Sequence, residues 1–145
     1  MLLAAHRSLG LMIEVSAGIV VSRGMVLCTR KGESRYRYLS HRYEFPGGKL
    51  EPSESPVDAL IREFEEELRV DIRGCPMVPL AVIDYDYPDF SVRIHPFVIR
   101  ADDLRFELTE HEDSLWLPWN GLHEVDWIAA DESIIDEVEA QFHEG

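Results

Sequence analysis

The sequence predicts one domain of the α/β class, and three observations indicate this. Apolar residues alternate with period two in residues 13–28, which is typical of β-strands. Residues 55–68 carry apolar side chains at helical spacing, and further strand-like segments follow them. A length of 145 residues fits one domain with its own core. We therefore expect residues 13–145 to form this domain and residues 1–12 to be a loose N-terminal extension.

Two strands and a loop are expected before the first helix. The strands lie within residues 13–28 and meet at the turn signal Ser22-Arg23-Gly24. Residues 31–42 are polar, basic and aromatic, which favours a loop. Residues 43–45 should then be extended, because a residue that precedes a proline, here Pro46, avoids the helical region.

The first helix has a clear start and three different faces. Ser55 is a good N-cap, Pro56 suits the first helical position, and Asp58 completes a capping-box-like pattern. One face is an apolar stripe formed by Val57, Leu60, Ile61, Phe64 and Leu68. The adjacent face holds the carboxylates spaced by i, i+3 and i+4, which are Glu63, Glu66 and Glu67. The remaining side carries Arg62, Glu65 and Arg69.

The carboxylate face indicates a divalent metal site. Like charges at this spacing repel each other and lower the stability of the helix, and no lysine or arginine follows any of the three at i+4. The nearest basic residue, Arg62, is expected to lie off their face. A hard cation would offset the repulsion by binding the carboxylate oxygens. Mg²⁺ is the expected ion, and Mn²⁺ could replace it. The alternative is a solvated face without a metal.

The next two strands form a predicted hairpin. They span residues 76–87 and 90–100, around the turn signal Pro88-Asp89. Pro96 indicates an edge position or a bulge, because proline cannot donate a backbone hydrogen bond. Three strand aromatics are expected to pack against other elements, with stacking on a base as the alternative; these are Tyr85, Tyr87 and Phe90.

The C-terminal third is acidic and holds the last predicted elements. From Asp102 onward there are fourteen acidic residues and one basic residue. Residues 102–109 are expected to be a surface connection, and His111 a surface histidine rather than a ligand. The remaining elements are a strand over residues 115–119 and a helix from Glu132 or Ser133 to Phe142.

Composition and charge exclude several classes of partner. The net charge of −14 disfavours polymeric nucleic acid and membrane surfaces, whereas metal ions can bridge a phosphorylated small molecule. No apolar run approaches the roughly 18–20 residues of a membrane span. Two cysteines are too few for a disulfide framework or a zinc site, and they fit the reducing cytoplasm.

A basic cluster precedes the acidic helix and has two interpretations. Its members are Arg30, Lys31, Arg35, Arg37 and Arg42. The cluster is either a solvated loop or a rim that attracts phosphate beside the metal site.

The acidic helix and the loop before it resemble the Nudix box, GX5EX7REUXEEXGU, in which U is a bulky aliphatic residue. The matching residues are Gly48, Glu54, Arg62, Glu63, Glu66, Glu67 and Val70. Phe64 departs from the pattern at an aliphatic position, and Arg69 replaces a glycine that would end the helix in a left-handed turn. We expect Arg69 either to adopt that conformation or to let the helix continue.

Three further segments resemble the MutT-type branch of the Nudix hydrolases. They are residues 43–49, Glu110-His111 and Ala130-Asp131. The resemblance implies an α/β/α sandwich around a mixed β-sheet. It also implies hydrolysis of a nucleoside triphosphate, with an oxidised one such as 8-oxo-dGTP as the default, to a monophosphate and pyrophosphate. The alternatives are a CTP-type or other nucleoside diphosphate-X substrate, and a non-catalytic nucleotide sensor.

The resemblance also implies roles for individual residues. The expected metal ligands are Glu63, Glu66, Glu67 and a backbone carbonyl of Gly47 or Gly48. One of Glu66, Glu67 or Glu110 should take a proton from the attacking water, and Arg62 should orient the carboxylates. Expected substrate contacts are Lys31, Glu44, Phe45, Pro46, Gly48, Lys49 and, for the base, Asp131. We expect a cytoplasmic monomer or homodimer that acts in nucleotide-pool sanitation or DNA repair.

Overall fold

A mixed sheet of eight strands lies at the centre of the protein, in a computed structural model that describes residues 12–142. The strands are β1 (Met12–Ser22), β2 (Met25–Arg30), β3 (Tyr43–Glu44), β4 (Gly47–Lys49), β5 (Met77–Pro79), β6 (Ile83–Asp86), β7 (Ser91–Arg100) and β8 (Asp113–Pro118). The helices are α1 (Pro56–Leu68) and α2 (Ala129–Phe142), with short 3-10 turns at Arg37–Leu39 and Trp119–Glu124. Of the expected extension, Met12 begins β1, and residues 1–11 lie outside the described residues.

One parallel pair of strands, β1 and β7, forms the middle of the sheet. On one side, β2 pairs with β1 and in turn carries β3 and β8, all antiparallel. On this same side, β4 also pairs antiparallel with β1, and on the other side β5 and β6 pair with β7. A parallel pair requires a long crossover connection, and the segment that contains α1 provides it.

The two helices cover opposite faces of the sheet. Successive residues of β1 point to opposite faces, so Val20 packs in a cluster with Leu60 and Phe64 of α1. Ile19 packs instead in the cluster that contains Ile134 of α2. This arrangement is the α/β/α sandwich that the resemblance implied. Among the helices that the structure describes, none has the length and apolar character needed to cross a lipid bilayer.

Gly18 allows α1 to lie close to the sheet. A Cβ atom at this position would lie 2.6 Å from Cζ of Phe64 and 2.9 Å from Cδ1 of Ile99. Both distances are shorter than van der Waals contact, so a larger residue would push the helix away. The aromatic ring that departs from the box pattern therefore fits because its neighbour on β1 has no side chain.

Both ends of α1 are capped. The Asp58 N–H donates to Oγ of Ser55 at 3.1 Å, as the sequence predicts. At the other end Arg69 has φ of 58° and ψ of 38°, which is the left-handed conformation. Its N–H donates to the carbonyl of Glu65 at 3.1 Å, and the Val70 N–H donates to that of Phe64 at 3.4 Å. Of the two expectations for Arg69, the helix-ending turn is the one observed.

We expect Arg69→Gly to stabilise the protein by up to about 1 kcal/mol. An L-residue costs roughly 1–2 kcal/mol in this conformation, and the greater freedom of glycine in the unfolded chain offsets part of the gain. Urea unfolding of the variant measures the effect. Arg69→Ala is the matched control, since it removes the same side chain but keeps the β-carbon, and equal stability of the two variants would contradict the prediction.

The expectation of an edge position for Pro96 is wrong, because β7 is a central strand. The predicted single strand over residues 76–87 is divided into β5 and β6, and the division lies opposite this proline. The Leu80 N–H donates to the Pro96 carbonyl at 2.9 Å within the division. Proline has no N–H to give to a continuous partner strand, which accounts for a local interruption of pairing at this point.

Two expectations for the C-terminal part are wrong in detail. Residues 102–109 are more than a surface connection, because Leu104, Phe106 and Leu108 pack against the core on the α1 side. Helix α2 begins at Ala129, so Asp131 lies in its first turn rather than ahead of it. The buried residues of α2 include Ile134, Ile135 and Val138 as expected, and the side chain of Phe142 lies outside the described residues.

Candidate active site

Gly47 and Gly48 bring β4 against the carboxylate face of α1. A Cβ atom at Gly47 would lie 2.0 Å from the carbonyl oxygen of Ser16, and one at Gly48 would lie 2.4 Å from Cδ of Glu63. The Gly47 N–H donates to Oε1 of Glu67 at 3.2 Å. Position 47 therefore requires glycine, whereas a side chain at position 48 would displace the Glu63 carboxylate, and the two residues place the backbone in direct contact with two candidate metal ligands.

Glu67 is the buried carboxylate of this group, with 7% of its surface exposed. Burial, followed by the negative charges of Glu44 and Glu63, raises its pKa to about 9. Within residues 12–142, no basic side chain forms an ion pair with it. A buried carboxylate without a countercharge is unfavourable, and a divalent cation is the partner that a set of hard oxygen donors prefers. The residues present thus fit a divalent metal.

Arg62 connects three glutamates of the box. Its Nε and Nη2 atoms each donate to Glu54 at 2.9 Å, and Nη1 donates to Glu63 at 2.8 Å and to Glu66 at 3.3 Å. Nη2 also donates to the Lys49 carbonyl at 2.9 Å, which ties α1 to the end of β4. Arg62 lies on the neighbouring face of the helix, and its long side chain reaches both Glu63 and Glu66.

Glu44 lies near the carboxylate group and has two basic neighbours. Nε2 of His111 donates to its Oε2 at 3.0 Å, and Nζ of Lys31 lies 3.7 Å from its Oε1. The side chain of His111 is 3% exposed, so the expectation of a surface histidine is wrong. The segment that contains it folds back onto the sheet, where the Glu112 N–H donates to the Arg30 carbonyl at 2.9 Å.

A pocket with a volume of about 130 Å³, partly open to solvent, begins beside Glu44. Its lining includes six of the predicted site residues: Lys31, Glu44, Phe45, Gly47, Gly48 and Asp131. Because Gly47 and Gly48 also contact Glu67 and Glu63, one short strand forms the boundary between pocket and carboxylates.

Asp131 lies in the wall of this pocket and is 4% exposed. Its Oδ2 atom accepts a hydrogen bond from the Phe45 N–H at 2.7 Å. Burial, followed by the negative charge of Glu44, raises its pKa to about 8, against a smaller opposing effect of Lys31. At neutral pH this carboxyl group is therefore mostly protonated, so it can donate as well as accept a hydrogen bond.

The other predicted site residues lie around the pocket rather than in its lining. Pro46 is buried, and its carbonyl accepts from the Gly18 N–H at 2.8 Å. The side chain of Lys49 is exposed. Glu110 is exposed as well, next to Thr109, whose Oγ1 donates to the Glu66 carbonyl at 2.6 Å.

The sequence left two interpretations open for the basic cluster and two for the strand aromatics. In the structure, the members of each group have different environments. Of the basic cluster, Lys31 lines the pocket, whereas Arg30 pairs with Glu112 at 3.0 Å. Of the strand aromatics, Tyr87 lines the pocket but is only 5% exposed, and its hydroxyl accepts from the Ala130 N–H at 2.9 Å. Phe90 is half-buried at the pocket, where contact with a planar ligand is sterically open.

Sequence reasoning missed Thr109 and His111 as parts of the site. Each makes its contact with a residue far away in the chain, on α1 or on β3. A spacing pattern carries no signal for such a contact.

Comparison with known proteins gives one family. The family model of the NUDIX domain matches residues 12–143. An 8-oxo-dGTP diphosphatase of Proteus vulgaris is 31% identical over 104 residues, which cover 70% of this chain and 87% of that protein. The solution structure of the ORF135 protein of Escherichia coli has a TM-score of 0.74 at 24% identity and covers 89% of both chains.

A third similar protein was solved with a ligand. The NUDIX domain of Shewanella oneidensis NrtR, in complex with ADP ribose, has a TM-score of 0.75 at 10% identity. The alignment covers 93% of this chain and 91% of that one. The match to the family model includes every strand and both helices that the structure describes.

Proposed function

Since this chain is a MutT-type hydrolase of the Nudix family, we propose that it hydrolyses a nucleoside triphosphate to a nucleoside monophosphate and pyrophosphate. The observation that supports this most directly is that Gly47 and Gly48 lie between the pocket and the carboxylates. Both glycines line the pocket, and they also contact Glu67 and Glu63. A nucleoside in the pocket would extend its phosphates across β4 toward the carboxylates. We further propose a cytoplasmic role on free nucleotides.

The proposed metal ligands are Glu63, Glu66, Glu67 and a backbone carbonyl of Gly47 or Gly48. Mg²⁺ is the proposed ion, with Mn²⁺ as a substitute, because the donors are hard oxygens. A bound divalent cation supplies neutralisation of phosphate charge and a more acidic water. Arg62 holds Glu63 and Glu66 in place by hydrogen bonds, and Lys31 supplies positive charge at the pocket.

The reaction balances as a hydrolysis of the α–β phosphoanhydride. The water oxygen bonds to phosphorus, the anhydride P–O bond breaks, and the water proton passes to a carboxylate. The candidate bases are Glu66, Glu67 and Glu110. Each candidate is replaced by glutamine in turn, and kcat is measured against pH. In the variant that lacks the base, and in that variant alone, kcat should no longer fall at low pH.

We propose that Asp131 contacts the nucleobase. Its Oδ2 atom is held by the Phe45 N–H, so the other oxygen is available to a ligand. A protonated carboxyl can donate to a base carbonyl, which suits an oxidised guanine. An ionised carboxylate accepts from an exocyclic amine, which suits cytosine. The raised pKa of about 8 favours the first at neutral pH.

The Asp131→Asn variant tests this assignment. The amide oxygen can still accept from the Phe45 N–H, and the amide nitrogen donates at every pH. We expect the ratio of kcat/KM for 8-oxo-dGTP over CTP to fall by about tenfold in the wild type between pH 7 and pH 9, as the carboxyl ionises. The asparagine variant should keep the neutral-pH ratio throughout. A ratio that follows pH equally in both proteins would contradict the role of Asp131.

A substrate panel tests the proposed activity itself. The purified protein is incubated with Mg²⁺ and 8-oxo-dGTP, the common nucleoside triphosphates and ADP-ribose, and released pyrophosphate or monophosphate is measured. We expect the highest kcat/KM for an oxidised guanine nucleotide. Tight nucleotide binding without turnover of any compound would instead favour a nucleotide sensor.

A further inference from the structure

The His111 side chain acts on the pocket through Glu44. We propose that His111 is a positioning residue, which fixes the Glu44 carboxylate at the nucleotide pocket by a hydrogen bond from behind. The inference rests on the proposed function, because it concerns how that pocket holds its ligand. His111 does not line the pocket itself, whereas Glu44 does.

The contact between the two side chains is short and buried. Nε2 of His111 lies 3.0 Å from Oε2 of Glu44, and the histidine side chain is 3% exposed. A carboxylate oxygen accepts, so Nε2 carries the hydrogen of this bond. Glu44 remains 20% exposed and lines the pocket. The histidine therefore determines the orientation of a carboxylate whose other side is available to a ligand.

Packing alone does not account for a histidine at this position. Nδ1 of His111 is buried and has no hydrogen-bond partner among the described residues. Leaving a buried polar atom unpaired costs about 1–3 kcal/mol, and an apolar side chain of similar size would avoid that cost. The bond to Glu44 is the interaction that an apolar residue could not provide, so it is the feature that requires a histidine.

The backbone around His111 is anchored on both sides, so the ring is held rigidly. The Thr109 N–H donates to the Glu67 carbonyl at 3.0 Å, and the Glu112 N–H donates to the Arg30 carbonyl at 2.9 Å. The first contact joins the segment to α1 and the second joins it to β2. With the segment held at both ends, the backbone that carries the imidazole keeps its position if the Glu44 side chain moves. The histidine is therefore a fixed reference point for the carboxylate.

The second neighbour of Glu44 does not replace this contact. Nζ of Lys31 lies 3.7 Å from Oε1, which is beyond hydrogen-bond distance, and its side chain is 30% exposed. A flexible, partly exposed lysine gives charge without a fixed direction. Removal of the histidine should therefore leave Glu44 free to rotate.

Two variants of His111 and one control test the inference. His111→Leu removes the donor and fills the space, and His111→Gln keeps a donor. His95→Gln is the control, because His95 makes a comparable 2.9 Å contact with Glu14 outside the pocket lining. With 8-oxo-dGTP, we expect His111→Leu to raise KM about tenfold with a smaller effect on kcat. His111→Gln should recover most of the loss, and the control should match the wild type.

A double-mutant cycle separates positioning from a general structural role. Glu44→Gln and His111→Leu together should be no worse than Glu44→Gln alone, since the histidine acts through the glutamate. The leucine variant should also unfold at a temperature no lower than the wild type. Additive losses, or a loss that follows a lower unfolding temperature, would overturn the inference.

A measurement that does not depend on nucleotide hydrolysis distinguishes this inference from the proposed function. The carboxyl ¹³C resonance of Glu44, identified by its absence in Glu44→Gln, should shift in His111→Leu and remain in place in His95→Gln. A shift in a protein that hydrolyses no nucleotide would support the positioning role and refute the proposed activity. An unchanged resonance in an active enzyme would refute the positioning role alone.

Discussion

Replacement of Glu67 by glutamine should lower kcat/KM by about 10²–10³-fold and, without metal, make the protein more stable. The loss follows because a metal ligand is removed, and the cation supplies several kcal/mol of charge stabilisation. The stability of the metal-free protein should rise because Glu67 is 7% exposed and lies near the negative charges of Glu44 and Glu63. A neutral amide in its place should stabilise the metal-free fold by about 1–3 kcal/mol.

The pH dependence of stability gives this prediction a second test. The pKa of Glu67 is raised from 4.5 to about 9 in the folded protein, so the unfolded chain releases its proton at lower pH. The metal-free wild type should therefore lose stability as pH rises from about 4.5 to about 9. Mg²⁺ should raise the unfolding temperature more at pH 8 than at pH 6, and the glutamine variant should lose this difference.

Thermal unfolding with EDTA and with Mg²⁺, together with kinetics on 8-oxo-dGTP, measures both effects. Glu65→Gln is the matched control, since Glu65 is exposed on the same helix and lies off the carboxylate face. The control should keep wild-type activity and the wild-type response to metal. Near-normal turnover in Glu67→Gln would remove this residue from the metal site.

Arg62→Lys should lower kcat by about 10–100-fold and destabilise the fold by about 1–3 kcal/mol. The guanidinium makes hydrogen bonds to Glu54, Glu63, Glu66 and the Lys49 carbonyl. An ammonium group keeps the charge but cannot serve these acceptors with the same planar geometry. The site should retain its metal ligands and lose their alignment.

High Mg²⁺ should therefore restore part of the activity of Arg62→Lys, and a metal titration at saturating nucleotide measures this. Arg73→Lys is the control, because Arg73 is 73% exposed and pairs with Asp71 alone among the acidic residues that the structure describes. A lysine variant of position 62 with wild-type kcat and stability would show that the network has no positioning role.

The sequence predicts the local features of this fold well. The N-cap at Ser55, the turn at Arg23-Gly24 and the apolar stripe of α1 each depend on residues within a few positions of each other. Such features follow from backbone geometry and helical periodicity, so a single chain is enough to find them.

Features that depend on distant contacts could not be predicted in this way. The burial of His111 depends on Glu44, and the central place of Pro96 depends on the parallel pairing of β7 with β1. The start of α2 at Ala129 depends partly on the Tyr87 hydroxyl, which accepts from Ala130. In each case the deciding partner is far away in the chain, and no local pattern specifies it.

The close approach of Phe64 to Gly18 has an evolutionary consequence. The two positions form one steric unit, because the ring occupies the volume that a side chain at position 18 would need. An aliphatic residue at the box position would remove the closest contact of a side chain at position 18 and leave only that with Ile99, whereas phenylalanine blocks such a side chain outright. Substitutions at these two sites should therefore be accepted in pairs. A smaller residue at position 64 should appear before a larger residue at position 18.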